Sequence, residues 1–179
     1  MAILKIARMG HPVLLRPAAA VADPAAPEIR RLARDMIETM EDAKGTGLAA
    51  PQVHVPLRLL VFFVSPQPEL PDGVPLTVLI NPTIERLGDE RSLGWEGCLS
   101  VPDLAGEVPR YRRIRYRGLD LEGRQIEREA TDYHARVVQH EADHLEGILY
   151  PQRMEDLRRL VFASELHRHR KSAEEEIEA

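Results

Sequence analysis

Residues 131–147 read TDYHARVVQHEADHLEG, and the folding of this stretch decides the rest. Val137, Val138, His140, Ala142, His144 and Leu145 crowd it so densely that a helix from Asp132 to about Gly147, capped by Thr131, could expose little of its surface. It should therefore be the central helix, with the rest of the chain wrapped around it. Inside it, His140-Glu141-Ala142-Asp143-His144 is an HExxH motif. Residues four apart share a helix face, so both imidazoles can reach one metal ion while Glu141, one residue round, approaches a water held there. The bland alternative, two exposed histidines on a charged helix, fits poorly with an apolar stretch in which unpaired imidazoles are costly.

Outward from this helix, the 14 prolines concentrate at 12–27, 51–75 and 102–109, and none falls between Pro109 and Pro151, a gap that should hold regular structure. Arg113 to Arg117 alternates, and a turn around Gly123 leads to a partner at Gln125–Glu129, an antiparallel hairpin. Leu57–Val64 and Leu76–Ile80 read as two buried strands. Ile29, Leu32, Ala33, Met36, Ile37 and Met40 draw one stripe along a helix from Pro27 to Lys44, with Gly45 as its left-handed C-terminal cap. A last helical pattern runs from Met154 to about Arg170 and decays into HRHRK and EEEIEA. The fold class is α+β: a central HExxH-bearing helix among antiparallel β-sheets, with an N-terminal and a C-terminal helix. Residues 1–165 form one catalytic domain, and 166–179 are the helix end and a charged, frayed tail.

At 179 residues one domain is the default. The 29 acidic against 24 basic side chains leave a net charge of −5, so no broad basic face exists for a nucleic-acid substrate. The longest apolar run, Leu59–Val64, falls far short of the roughly 18 residues a membrane span needs. One cysteine makes no internal disulfide, and MAILKIARMG lacks a secretory pattern, so a reducing, cytoplasmic setting is expected.

Two histidines do not complete a metal site, and the third ligand sets the enzyme class. A metzincin would carry a third histidine where Tyr150 stands. A thermolysin-like site would use a downstream carboxylate, and Glu165 lies within range. Cys98, the only thiol, offers a soft anionic ligand that leaves a fourth position open. Taken alone, Cys98 reads first as a small buried hydrophobe; a nucleophile paired with His140 or His144 is a further option, against which HExxH argues because metal ligation would consume both the thiolate and the imidazoles. Gly45-Thr46-Gly47-Leu48-Ala49-Ala50-Pro51-Gln52 matches a loose dinucleotide fingerprint, but it follows a helix and runs into proline. Its glycines suit close approach of backbone to a substrate, with Gln52 as an amide donor, or else a helix cap and tight turn. Tyr133, Val137 and Leu48 are candidates for an apolar pocket wall, with core packing as the alternative. Asp143 is a candidate to orient a ligand histidine, or a surface residue.

GTGLAAPQ at 45–52, WEGCLSVP at 95–102 and QHEADHLEG at 139–147 together resemble, in order and spacing, the three signature motifs of the peptide deformylase family. The likeness extends from RMGHPVLLRPA near the start to LYPQRM at 149–154. It implies an α+β metallohydrolase that removes the N-formyl group from the initiator methionine of nascent polypeptides and releases formate. It further implies Cys98, His140 and His144 as metal ligands, Glu141 as acid/base, and Gln52 with the backbone N–H of Leu99 facing the formyl oxygen. Gly47 would approach the peptide backbone. The metal would be Fe2+, with Zn2+, Ni2+ or Co2+ accepted. Many relatives carry a Gly-hydrophobic pair where this chain has Asp132-Tyr133, and some carry a basic residue where it reads Asp103-Leu104-Ala105-Gly106. The basic HRHRK stretch suggests ribosome contact. Two rivals remain: an HExxH endopeptidase using Glu165, and a non-catalytic relative whose metal staples the fold.

Overall fold

The apolar run at 59–64 is continuous because both of its faces are covered. A computed structural model, describing residues 2–166, shows β2 (Leu59–Val64) between β1 (Gly47–Ala49) and β3 (Val74–Arg86). β3 pairs onward with β6 (Arg113–Leu119) and β6 with β7 (Gln125–Thr131), giving a five-stranded sheet that is antiparallel throughout. Strand alternation sends Leu59 and Val61 into a cluster with Ile29, Ala33, Met36 and Met40 of α1 (Pro27–Asp42). Leu60, Phe62 and Val64 join a second cluster with Ala135, Val138 and Leu145 of α2 (Asp132–Leu145). Each Leu, Val, Ile, Met or Phe among these contributes about 1.5–3 kcal/mol on burial.

The stripe read along α1 is the face it buries, but the helix stops at Asp42, not Lys44. Lys44 takes the left-handed position (φ 55°), its N–H bonding to Glu41 O (3.0 Å) while Gly45 N–H bonds to Met40 O (2.8 Å). The cap residue is thus Lys44. Gly45 serves a different need, since a Cβ there would lie 2.9 Å from Leu99 Cδ1. At the start of α2, Thr131 occupies the N-cap position without a side-chain bond. Entry is fixed by Asp132, whose N–H donates to Arg112 O (2.9 Å) and whose Oδ1 accepts from Arg112 Nε (2.7 Å). Asp132 has φ 50°, the left-handed region that favours glycine and that aspartate tolerates better than most residues.

The second sheet was not legible as strands. β4 (Arg91–Cys98) and β5 (Val101–Tyr111) form an antiparallel hairpin, and β8 (Leu160–Phe162) lines the other edge of β5. Glycines and prolines at 94, 97, 102, 106 and 109 make this stretch read as loop. Two of the glycines answer to packing: a Cβ at Gly94 would meet Arg136, and one at Gly106 would meet Tyr150 and Met154. The register shifts between Gly97 and Cys98, which puts Cys98 at the tip of the hairpin opposite Val101.

The helix expected from Met154 is corrected over the described residues. Leu157–Arg159 and Ala163–Glu165 are 3-10 turns flanking β8, because the Leu-Val-Phe run finds the open edge of β5 (Gly106 opposite Leu160). The expected helix end and charged tail, apart from Leu166, lie outside the described residues. The fold is α+β, with two α-helices among the described residues and antiparallel sheets. α2 touches strands of both sheets, β1, β2 and β7 on one side and β5 on the other.

Candidate metal centre

The i, i+4 spacing on α2 stands the rings of His140 and His144 5.0 Å apart, nearly perpendicular at 83°. The hairpin tip brings Cys98 to them, its Sγ 3.4 Å from His144 Nε2. One donor atom from each of the three residues falls within 4.8 Å of the other two. Both histidines are buried and Cys98 is half-buried. Glu165 is exposed in the turn after β8 and takes no part in this group. Tyr150 is buried with its ring stacked against His140, 6.3 Å between centroids.

Two of the three donors are aimed by neighbours, whereas His144 Nδ1 is buried with no hydrogen-bond partner among the described residues. His140 Nδ1 donates to Glu96 Oε2 (2.8 Å), which leaves Nε2 for the centre. Gln52 Oε1 accepts from Ala49 N–H (2.8 Å), so Nε2 faces Ser100 Oγ (3.1 Å) and Cys98 Sγ (3.6 Å). Ser100 N–H also points at the sulfur (3.4 Å). The N-terminal segment holds both residues in place, Ala7 N–H to Gln52 O and Met9 N–H to Ser100 O, each 2.7 Å.

Burial sets the charges. Burial opposes ionisation of Glu96, but hydrogen bonds from His140 and Arg110 outweigh it and bring the carboxyl down to about 2. Burial also disfavours a proton on His140, yet its bonds to Cys98 and Glu96 hold its pKa well above the usual range; burial presses His144 well below it. Burial, helped by the Glu96 charge, pushes Glu141 up to about 7 against the pull of His140 and Arg110. Glu141 Oε2 is buried with no hydrogen-bond partner among the described residues, which leaves it able to accept a bond from a bound species. The sulfur of Cys98 and the two imidazoles, with Glu141 lining the same cavity as Cys98 and His140, form a donor set that suits zinc or iron(II).

In front of these residues lies a cavity of about 520 Å³, lined among others by Gly47, Gln52, Trp95, Leu99, Tyr133 and Val137. Gly47 is there because a Cβ would run into the carboxylate of Glu141. Leu48, expected on the pocket wall, is corrected: it is fully buried in the cluster with Met36 and Met40, since alternation along β1 turns it away from the side Gly47 faces. Tyr133 is 44% exposed, and Val137 both packs in the core and lines the cavity.

Asp143 orients no ligand histidine. It is buried and accepts from Arg110 Nη1 (2.6 Å) and Arg153 Nη2 (2.7 Å). Sequence reasoning missed Glu96 as the residue behind His140, together with Arg110 and Arg136, which hold Glu96. Glu96 stood within the quoted second motif, but no spacing rule links a strand residue to a helix 44 positions later.

The sequence profile described as polypeptide deformylase matches residues 3–160. The chain is 55% identical over 163 residues to peptide deformylase 1 of Bordetella pertussis, covering 90% of this chain and 93% of the relative. It is 49% identical to peptide deformylase 1 of Nitrosomonas europaea, covering 92% and 94%. A class I type b peptide deformylase from Acinetobacter baumannii, solved with Met-Ala-Ser bound, is similar in structure with a TM-score of 0.79 at 38% identity, covering 86% of this chain and 99% of that one. The peptide deformylase of Thermotoga maritima gives 0.79 at 35% identity, covering 87% and 100%.

Proposed function

Because the chain belongs to the peptide deformylase family, hydrolases that remove the N-formyl group from the initiator methionine of nascent polypeptides, we propose that Cys98, His140 and His144 hold one divalent metal ion and that Glu141, Gln52 and Leu99 carry the chemistry around it. The observation that carries this reading is the meeting of one sulfur and two imidazoles beside a buried carboxylate oxygen without a partner. On this reading α2 is the central metal-bearing helix, and residues 1–165 act as one catalytic domain. Iron(II) is the metal we propose, with zinc, nickel or cobalt as substitutes. When bound, such an ion supplies Lewis acidity, lowering the pKa of water and polarising the formyl carbonyl.

The chain's own groups do the rest. Glu141 takes the proton from the attacking water at its free oxygen and later gives it to the departing amine, so the formyl C–N bond breaks as formate and a free amino terminus form. The amide Nε2 of Gln52 is preset by Ala49, and it and the Leu99 N–H, at the tip next to Cys98, stabilise the oxyanion that develops on the carbonyl oxygen. Gly47 lets the peptide backbone approach, and Tyr133 and Val137 wall the methionine side chain. The Acinetobacter relative holding Met-Ala-Ser supports a methionyl peptide in this cavity. Our reading is a reaction in a bacterial cytoplasm, supported by the formylated nascent chains on which the family acts; no described helix is long and apolar enough to cross a membrane. Ribosome contact through HRHRK at 167–171 would fall outside the described residues.

The test is formate release from a formyl-Met peptide by anaerobic, iron-loaded protein, read beside metal content. Glu141→Gln should keep the metal and lose about 10²–10⁴ in turnover. A variant that still turns over at the parent rate removes Glu141 from the role.

A further inference from the structure

Glu96 is bound by more cations than its charge requires. Arg110 alone chelates it in a fork, Nε to Oε1 (2.9 Å) and Nη2 to Oε2 (3.0 Å), and Arg110 is itself balanced by Asp143. Yet a second buried guanidinium, that of Arg136, also donates to Oε1 (2.8 Å). Burying another cation costs several kcal/mol before its contacts are counted, so a wall residue of the substrate cavity would ordinarily be apolar. Arg136 is compensated by backbone: Nη1 donates to Val108 O (2.8 Å) and Gly94 O (3.2 Å), and Nη2 to Ser92 O (2.8 Å). Position 94 has no side chain to obstruct it, since a Cβ there would sit 2.7 Å from the Arg136 Cζ.

Arg136 and His140 are one helical turn apart on the same face of α2, and both meet Glu96, one at each oxygen. We propose that Arg136 is a positioning residue for the metal centre: by fixing Oε1 of Glu96 to α2 and to both strands of the β4–β5 hairpin, it aims Oε2 at His140 Nδ1 and sets Cys98 at the hairpin tip against the two imidazoles. Arg110 reaches Glu96 from β5 and is tied to α2 only through Asp143 (2.6 Å); of the two arginines, Arg136 alone is carried by α2 itself and spans backbone carbonyls of both strands. With Arg136 in place, thiolate and imidazoles are held in one frame before any ion arrives, which lowers the reorganisation that binding would otherwise demand.

This inference rests on the ligand set proposed above, and its experiment separates the two. Protein loaded with cobalt(II) is mixed anaerobically with excess chromophoric chelator, and loss of the thiolate-to-cobalt band gives the release rate. Arg136→Met keeps the side-chain stem and should release the metal about 10–100-fold faster. In a Glu96→Gln background the same substitution should change the rate by less than about twofold, because the group it acts through is gone. Arg136→Lys, whose single ammonium reaches Glu96 but does not span the carbonyls of both strands, should lie between. An unchanged release rate in Arg136→Met overturns the inference. So does equal acceleration with and without Glu96, which would make Arg136 a brace between strand and helix and nothing more. If Arg136→Met does not fold, the same cycle is run with Arg136→Lys and read by the same criterion. Parent protein that shows no thiolate-to-cobalt band fails the ligand assignment, whatever Arg136 does.

Discussion

Gly47→Ala tests how tightly the proposed acid/base is seated. The three atoms nearest an added Cβ all belong to Glu141, with Cδ at 2.6 Å and Cγ at 2.7 Å. Ordinary van der Waals contact begins near 3.4 Å, so the carboxyl carbon must retreat by about 0.8 Å, the difference between 3.4 and 2.6 Å. The backbone at 47 lies in β1 and has no positive φ, so alanine itself is not strained there. A reacting group displaced by about 1 Å loses on the order of 10²-fold in rate, equivalent to about 2.7 kcal/mol of barrier. The expectation is therefore a kcat for formate release about 100-fold below the parent, with metal content unchanged because the proposed ligands come from α2 and the β4–β5 tip. The assay is steady-state formate release from a formyl-Met peptide, paired with metal analysis of the same sample. A kcat within threefold of the parent, or a loss confined to KM, would refute the claim that the glycine exists to seat Glu141.

Three further outcomes follow from the geometry. Cys98→Ser should strip the metal and turnover together while Glu165→Ala leaves both intact; the reverse pattern in metal analysis would restore the endopeptidase reading. Gln52→Leu should lower kcat by about 10²–10³ with the metal retained, and an unaltered kcat would take the amide out of oxyanion stabilisation. Burial, with Arg128 nearby, holds His134 down at about 4 against 6.5 for the free side chain, its Nε2 hydrogen-bonded to Tyr116 Oη at 3.2 Å. The folded chain then binds fewer protons at this site than the unfolded one. That stability is complete above about pH 6.5 and lost as pH falls through about 4. Urea midpoints across this window should fall more steeply in the parent than in His134→Gln, and a constant gap between the two would contradict the assignment.

The buried Glu96 gives the centre its order. One carboxylate accepts from two arginines and from His140, a proposed ligand, and the hairpin that carries it also carries Cys98 two residues on. Removing one partner from such a group leaves the others buried and incompletely matched, so its parts should fail together and not singly.

The sequence by itself determined a helix from Asp132 to about Gly147, which ends at Leu145, the pairing of His140 with His144, a buried strand over Leu57–Val64, which starts at Leu59, and a hairpin whose second strand, read as Gln125–Glu129, runs on to Thr131. Each follows from periodicity, which is local: 3.6 residues per turn on a helix, two on a strand. It also placed Cys98 among three candidates, and the resemblance chose it. Only the tertiary structure decided the rest. Arg91–Tyr111 is a hairpin in which Gly94 and Gly106 are dictated by Arg136, Tyr150 and Met154 packed against them, and such demands from distant residues leave no local period. Leu160–Phe162 became a strand because an open edge of β5 was available, which outweighed its helical spacing. Leu48 left the pocket for the core through the alternation of a three-residue strand too short to announce itself. The carboxylate behind His140 lies 44 positions away, and only folding brings a charge that far along the chain into hydrogen-bond reach.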